Sequence, residues 1–381
     1  MKTPMKIMHS EAATAFGGQE HRVLKEMVAM RERGHLLEAI CQPGAELGSR
    51  LTALGFRVHV VEMHGAASLF SATKRIFEIL RSGKFDVLNT HSRLDTVRAA
   101  LAGRLARTPL IVRTRHLAKP PGSLLSYTRL PQRVVTVSEH VRQQLLKKGV
   151  PEAHVRTVTT GIEVPTQFVV TSTLRRELGL SQDDLIVGCV AHMRSQKGHD
   201  TLIEAMRPLM STRPNLHLVL VGAGSPLLED LKRLAASLGL SRRIHFLGAR
   251  KDVENILRGF DVFALATRIE ALGTAYIEAS ACGIPVVGTA VGGVPEVIQD
   301  DVTGFLVPPN DPAQLQAVIS RLLNDPELRC RLGRAGYHMT RAHARFSVAR
   351  MAEDMEKSYL DWMQESDVCL GAERQFPRAR L

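Results

Sequence analysis

Short β-branched and aliphatic runs alternate with helical patterns along nearly all of this 381-residue chain, and that alternation restricts the fold more than any other feature. Extended runs are expected at Lys6–His9, Leu36–Cys41, Val58–Val61, Val87–Thr90, Leu110–Arg113 and Val134–Val137. The series restarts at Leu185–Val190, Leu216–Val221, Ile244–Leu247, Asp261–Leu265, Pro285–Gly288 and Gly304–Val307. Strands separated by helices build parallel sheets with helices on both faces. Two such series predict an α/β protein of two doubly wound domains that leave a cleft between them, with ligands bound beyond the carboxyl ends of the strands. Residues 159–170 show neither period, contain Gly161 and Pro165, and read as the linker. The expected division is 1–165, 166–345 and a helical segment 346–381, broken near Phe346-Ser347 and disordered from Gly371.

Charge is placed unevenly. Residues 1–165 hold 25 of the 50 Lys and Arg but only 13 of the 38 Asp and Glu, so the whole net charge of +12 lies there. Its densest stretch runs through Arg93, Arg98, Arg104, Arg107, Arg113, Arg115 and Lys119. Such a face attracts anionic partners, a phospholipid surface or a lipid-linked acceptor among them, or serves solubility alone. Aromatics make up 4% of the chain and no nucleic-acid module is present, which argues against nucleic acid. No apolar run reaches the roughly 18 residues of a membrane helix. MKTPMKIMHSE is too short and polar for a signal peptide and reads as a first strand. Five scattered cysteines form neither a disulfide framework nor a zinc pattern, so a cytoplasmic setting is expected.

One unit of the second series is denser in chemistry than the rest. Val262–Leu265 feeds a loop with Glu270 and Gly273, a helical run carries Glu278, and Gly283 ends it before Ile284–Val287. Free N–H groups and the dipole at that helix start, near Leu272, Gly273, Thr274 and Ala275, make an anion site. Two carboxylates flanking it suit a ligand with hydroxyls and phosphates, such as a nucleotide sugar; the competing reading is two solvated helix glutamates. Gly17-Gly18 open the first helix and let backbone approach a ligand. The loop after Leu185–Val190 holds His192, Arg194 and Lys197. Gly222-Ala223-Gly224-Ser225 closes another strand as a turn, not a dinucleotide fingerprint. Gly248 ends Phe246-Leu247-Gly248, and His116, His91-Ser92 and Ser138-Glu139 follow strands of the first series. His116 reads equally as a ligand contact or a partly buried structural histidine.

The order Glu270, Glu278, Gly283-Ile284-Pro285-Val286-Val287, Gly292-Gly293, Pro295-Glu296 resembles the signature of retaining family 4 glycosyltransferases, the group 1 enzymes with the GT-B fold. The resemblance runs from Gly17-Gly18 to the final helix. It implies two Rossmann-like domains facing a central cleft, acceptor on the N-terminal one and nucleotide sugar on the C-terminal one. It also implies that a last helix, Met351–Met363, returns to the N-terminal domain. By the same resemblance Glu270 contacts the donor sugar, Glu278 the ribose, and Lys197 with an arginine the diphosphate. His192 stands where that arginine usually lies, and Arg194 is the candidate to replace its charge. Gly17-Gly18 would approach donor phosphates and acceptor, Gly222 and Gly248 would border the nucleotide, and His116 would point to the donor sugar.

The mechanism implied is front-face displacement, the leaving diphosphate taking the acceptor's proton while the enzyme supplies positioning and electrostatics. The chain has no Asp-x-Asp, and no metal or other cofactor is expected. The expected activity is transfer of a sugar from a nucleotide sugar to a hydroxyl of an anionic glycolipid or polysaccharide, in lipopolysaccharide or cell-surface polysaccharide synthesis. The basic domain would make peripheral contact with the inner face of the cell membrane. The alternatives are a nucleotide-sugar epimerase, a synthase for a soluble phosphorylated acceptor, and a non-catalytic sugar-nucleotide binder.

Overall fold

The computed structural model describes residues 4–65, 67–164, 171–342 and 345–375. Among them thirteen strands form two wholly parallel sheets. The first sheet holds β1 (Lys6–Glu11), β2 (Leu36–Cys41), β3 (Arg57–Val60), β4 (Val87–Thr90), β5 (Leu110–Arg115), β6 (Arg133–Thr136) and β7 (Val155–Thr157), in the order β3-β2-β1-β4-β5-β6-β7. The second holds β8 (Leu185–Val190), β9 (Leu216–Val221), β10 (Ile244–Gly248), β11 (Val262–Leu265), β12 (Val286–Thr289) and β13 (Gly304–Val307), in the order β10-β9-β8-β11-β12-β13. One compact unit runs to Gly161 and resumes at Val348; the other is Ile162–Ser347.

The inner strands are buried on both faces, as the near-continuous apolar run LHLVLV of β9 shows. In β8 the close packing has a definite requirement. A Cβ on Gly188 would lie 2.1 Å from the Phe260 ring, so glycine lets that ring seat on the strand. Two strands run further than their apolar residues suggest. β1 continues through Ser10 and Glu11, which pair with Ile40 and Cys41 of β2. β5 continues through Thr114 and Arg115, paired with Val135 and Thr136 of β6. The ladder extends there because backbone pairing continues regardless of side-chain polarity, and it carries polar side chains to the carboxyl edge of the sheet. The helix Glu46–Ala53 and the edge strand β7 were not legible in the pattern, being short.

The helix Val348–Gln375 belongs to the first unit. Met351, Met355, Tyr359 and Trp362 are buried in one cluster with Met27, Val135 and Val158. The Tyr359 hydroxyl accepts a hydrogen bond from Asn89 Nδ2 at 2.9 Å, tying this helix to β4. Its backbone covers Gly371–Gln375, which the sequence assigned to a disordered tail; residues 376–381 lie outside the described residues, as do 165–170 of the linker. Trp362 is among the largest fully buried side chains. Trp362→Ala should therefore destabilise the first unit by about 3–5 kcal/mol through transfer and cavity terms. Urea unfolding should show this as a lowered midpoint, and an unchanged midpoint would contradict the packing.

Candidate functional site

In an open parallel sheet the crevice lies where the strand order reverses, because successive connections leave to opposite faces. In the second unit that point is between β8 and β11. The loop after β8 carries Lys197, and the loop after β11 carries Glu270. Lys197 Nζ donates to Glu270 Oε2 at 2.6 Å, with both side chains mostly shielded. The other carboxylate oxygen, Oε1, accepts from the Ala271 N–H at 3.1 Å. Gly273, with φ 96°, turns the chain into the helix Thr274–Ala281. The N–H groups of a first helical turn have no intrahelical acceptor, so an anion-binding end sits beside the ion pair. Glu278 is half-buried one turn along.

Backbone contacts hold these loops. The left-handed Gly198 (φ 63°) would put a Cβ 1.9 Å from the Ala266 carbonyl oxygen, and Gly292 (φ 58°) 1.8 Å from that of Glu270. Gly222 lies against the Ala191 carbonyl in the same way, and its N–H donates to Gly248 O at 2.8 Å. Arg268 adds a side-chain clamp. It donates to both carboxylate oxygens of Asp200, at 2.9 and 2.8 Å, and to Ser195 O at 2.6 Å.

In the first unit the order reverses between β1 and β4. Gly17 caps the helix Gly18–Glu32, and its N–H is accepted by Glu20 Oε2 at 2.7 Å. That turn is acidic in its surroundings. Burial and the Asp95 charge push the Glu11 carboxyl up to about 8. Burial pushes Asp95 up to about 6, against hydrogen bonds from Ser92 and from the His91 N–H. Beyond β4 and β5 lies a cavity of about 190 Å³ lined in part by His91, Arg93, Arg113, Arg115, His116 and Lys119. Arg113 and Arg115 are 5% and 6% exposed. Arg113 donates to the Ser126 carbonyl at 3.1 Å and stacks 3.9 Å over the Tyr127 ring. Arg115 donates to the Tyr127 hydroxyl and the Lys119 carbonyl. These hydrogen-bond partners are neutral; burial pulls the Arg113 pKa down, and the Tyr127 hydroxyl and the nearby Asp95 carboxyl act against that. A larger hollow of about 490 Å³ beside β7 is different: there Arg142 pairs with Glu139 and Arg156 with Asp361.

Two family models cover most of the chain. Glycosyl transferases group 1 matches residues 170–339, and Glycosyltransferase Family 4 matches residues 16–164. A GDP-mannose-dependent alpha-(1-6)-phosphatidylinositol monomannoside mannosyltransferase of Mycolicibacterium smegmatis is 32% identical over 63% of this chain and 68% of its own. The chain belongs to the family 4, group 1 glycosyltransferases. A D-inositol 3-phosphate glycosyltransferase of Corynebacterium jeikeium is 31% identical over 59% of this glycosyltransferase and 56% of its own length. The chain spans about half the length of several curated relatives it matches. Among solved structures, Anabaena HepE in complex with UDP and glucose aligns with a TM-score of 0.82 at 22% identity, over 93% of this chain and 99% of that one. A glycosyltransferase from Rickettsia africae aligns with a TM-score of 0.85 at 22% identity, over 95% and 99%. This is the GT-B fold.

The residues singled out from the sequence fall into three groups in the structure. Lys197, Glu270, Leu272, Gly273, Thr274 and Glu278 come together at the second switch point, with Gly222 and Gly248 joined by a hydrogen bond on the neighbouring loops. His192 and Arg194 are exposed on the Lys197 loop, and their side chains touch no hydrogen-bond partner among the described residues. Gly17, Gly18 and His116 lie in the first unit. Sequence reading missed Arg268 and His9. Arg268 lies in the loop searched only for its glutamate, and His9 lies within a strand that read as core.

Gly198→Ala tests the backbone contact. It should cost about 1–3 kcal/mol and lower Tm by about 2–10 °C. Gly239 (φ 71°) has nothing within 4 Å of its would-be Cβ, so Gly239→Ala carries the left-handed strain without the clash. Equal losses in the two variants would show that the approach to Ala266 is not a constraint.

Proposed function

We propose that this chain transfers a sugar from a nucleotide-sugar donor to a hydroxyl of an anionic acceptor, with retention at the anomeric carbon. The observation that carries the reading is the Lys197–Glu270 pair at 2.6 Å beside the start of helix Thr274–Ala281, at a strand-order reversal. In this reading Glu270 takes the hydroxyls of the donor sugar and Glu278 those of the ribose. Lys197 leaves or shares its carboxylate to hold the diphosphate, and Arg194, exposed on the same loop, adds the second charge. Cations there stabilise the leaving group as its negative charge grows, and the leaving phosphate oxygen takes the proton of the acceptor hydroxyl. Gly222 and Gly248 border the nucleotide. The assignment uses side-chain cations and calls for no metal.

The acceptor belongs, in the same reading, to the first unit. The cavity with Arg113, Arg115 and Lys119 suits a phosphate-bearing group, and at about 190 Å³ it falls below the roughly 300–1,000 Å³ of pockets that enclose drug-sized ligands. A phosphorylated polyol or the head group of a glycolipid fits better there than a whole nucleotide sugar. Relatives named for D-inositol 3-phosphate and phosphatidylinositol mannosides support that class over a lipopolysaccharide core. The basic first unit would then dwell at anionic membranes by peripheral contact; among the described residues no helix is long and apolar enough to cross one.

Thermal stabilisation by UDP, GDP, ADP, CMP and their sugar conjugates tests donor binding, since a ligand of the folded state raises Tm with occupancy. A shift with one nucleoside diphosphate identifies the base; no shift with any would refute the donor site and favour a protein that has lost it. Glu270→Ala and Lys197→Ala should each lower transfer by about 10²–10³-fold, the scale of losing one preorganised electrostatic partner. Full activity in either would refute the assignment. Arg113→Gln should raise the acceptor KM and leave the donor KM unchanged.

A further inference from the structure

Three adjacent strands of the first sheet, β1, β4 and β5, bring three histidines into line at their carboxyl ends. His9 sits within β1 opposite Asn89, His91 follows β4, and His116 follows β5. The His9 and His91 rings lie edge to edge and nearly coplanar, with centroids 5.2 Å apart and planes 6° from parallel. His9 Nδ1 is 3.0 Å from His91 Nε2, and His91 Nδ1 is 3.0 Å from His116 Nε2.

A nitrogen–nitrogen approach of this length needs one N–H and one lone pair. An uncharged His91 has one of each, so its two contacts must run in the same direction along the chain. The ends then decide which direction. His9 Nε2 is buried without a hydrogen-bond partner. His116 lines the cavity, and its Nδ1 is neither paired nor among the sealed polar atoms. Were the protons to run from His116 to His9, an N–H would be stranded at His9 Nε2, in the field of the fully buried Arg22. Run the other way, a lone pair is left there, and a positive neighbour favours a lone pair over a proton. Burial and the Arg22 charge also hold His9, His91 and His116 below the usual histidine range, with Arg113 adding to the effect on His116.

We infer that His9 and His91 are positioning residues that fix the tautomer of His116, so that His116 presents an Nδ1 proton, not a lone pair, to an oxygen of the ligand in the cavity. The inference rests on the reading of that cavity as a ligand site. It makes His116 a hydrogen-bond donor to a hydroxyl, ether or phosphate oxygen, and bars its Nδ1 from acting as a base. His9, deep in the strand and far from any ligand in sequence terms, becomes the residue that sets the polarity of the whole chain.

The test is long-range 1H–15N correlation on the full chain labelled with 15N-histidine, His116 being assigned by the loss of its signals in His116→Gln. The expected spectrum has a protonated Nδ1 and an unprotonated Nε2 on His116. A proton on His116 Nε2, or a cationic ring, overturns the inference. His91→Phe should move the proton of His116 to Nε2 and lower kcat by about 10- to 100-fold, the usual cost of losing a partner that fixes a tautomer, with the donor KM unchanged. His91→Gln, which keeps an N–H donor toward His116, should recover part of that loss. An unchanged tautomer and unchanged turnover in His91→Phe would also overturn it. Should His91→Phe fail to fold, the wild-type spectrum alone still decides. The tautomer is read without turnover, so a failure here is separable from a failure of the glycosyl-transfer reading.

Discussion

Backbone lies directly on backbone around Lys197 and Glu270, and the placement of both side chains follows from it. Gly198, Gly222 and Gly292 press against the carbonyl oxygens of Ala266, Ala191 and Glu270, approaches that any Cβ would block. The loops that follow β8, β9, β11 and β12 are therefore held by main-chain contacts, with side-chain ties from Arg268, from Thr267 to the Gln196 carbonyl and from Lys197 to Glu270. Side chains on the outer surface of such loops can change without moving the frame. Position 192, where the resemblance would place an arginine, carries an exposed histidine on such a loop.

The two units solve opposite electrostatic problems. In the second, the Lys197 cation is already paired with the Glu270 carboxylate. In the first, buried guanidinium groups rest on carbonyls, a phenol and an aromatic face, and no carboxylate is hydrogen-bonded to them among the described residues. Close by, carboxyl groups at Glu11 and Asp95 are driven toward their neutral forms by burial. Part of the uneven charge of the sequence is gathered in a basic cavity beyond β4 and β5, near a turn at Gly17 whose neighbouring Glu11 carboxyl is driven toward its neutral form.

Much of this was legible in the sequence because period and spacing report directly on parallel α/β structure. The strands near Leu185–Val190 and Leu216–Val221 were placed to the residue, and the spacing of Glu270, Gly273 and Glu278 placed the loop and helix of the second unit. The missed strand ends share a cause. Ser10, Glu11, Thr114 and Arg115 are polar, so the strand ends they occupy do not show in an apolar pattern, although backbone pairing continues through them. The histidine chain was hidden for a related reason: His9, His91 and His116 are distant in sequence and meet only because β1, β4 and β5 are neighbours. Arg268 is an ordinary loop arginine until the Asp200 helix is packed beside it.

The first unit is interrupted in sequence: it leaves off at Gly161 and resumes at Val348, while the second is one unbroken stretch. Its hydrophobic cluster needs Met355, Tyr359 and Trp362, which are made after the whole of the second unit. Domains emerging from a ribosome generally fold in order from the N-terminal side. Here that order is reversed, for the unit begun first must wait with an exposed apolar face until residues 351–362 have been synthesised. During translation, the half of the molecule that carries the excess positive charge is also the half whose apolar cluster is completed last.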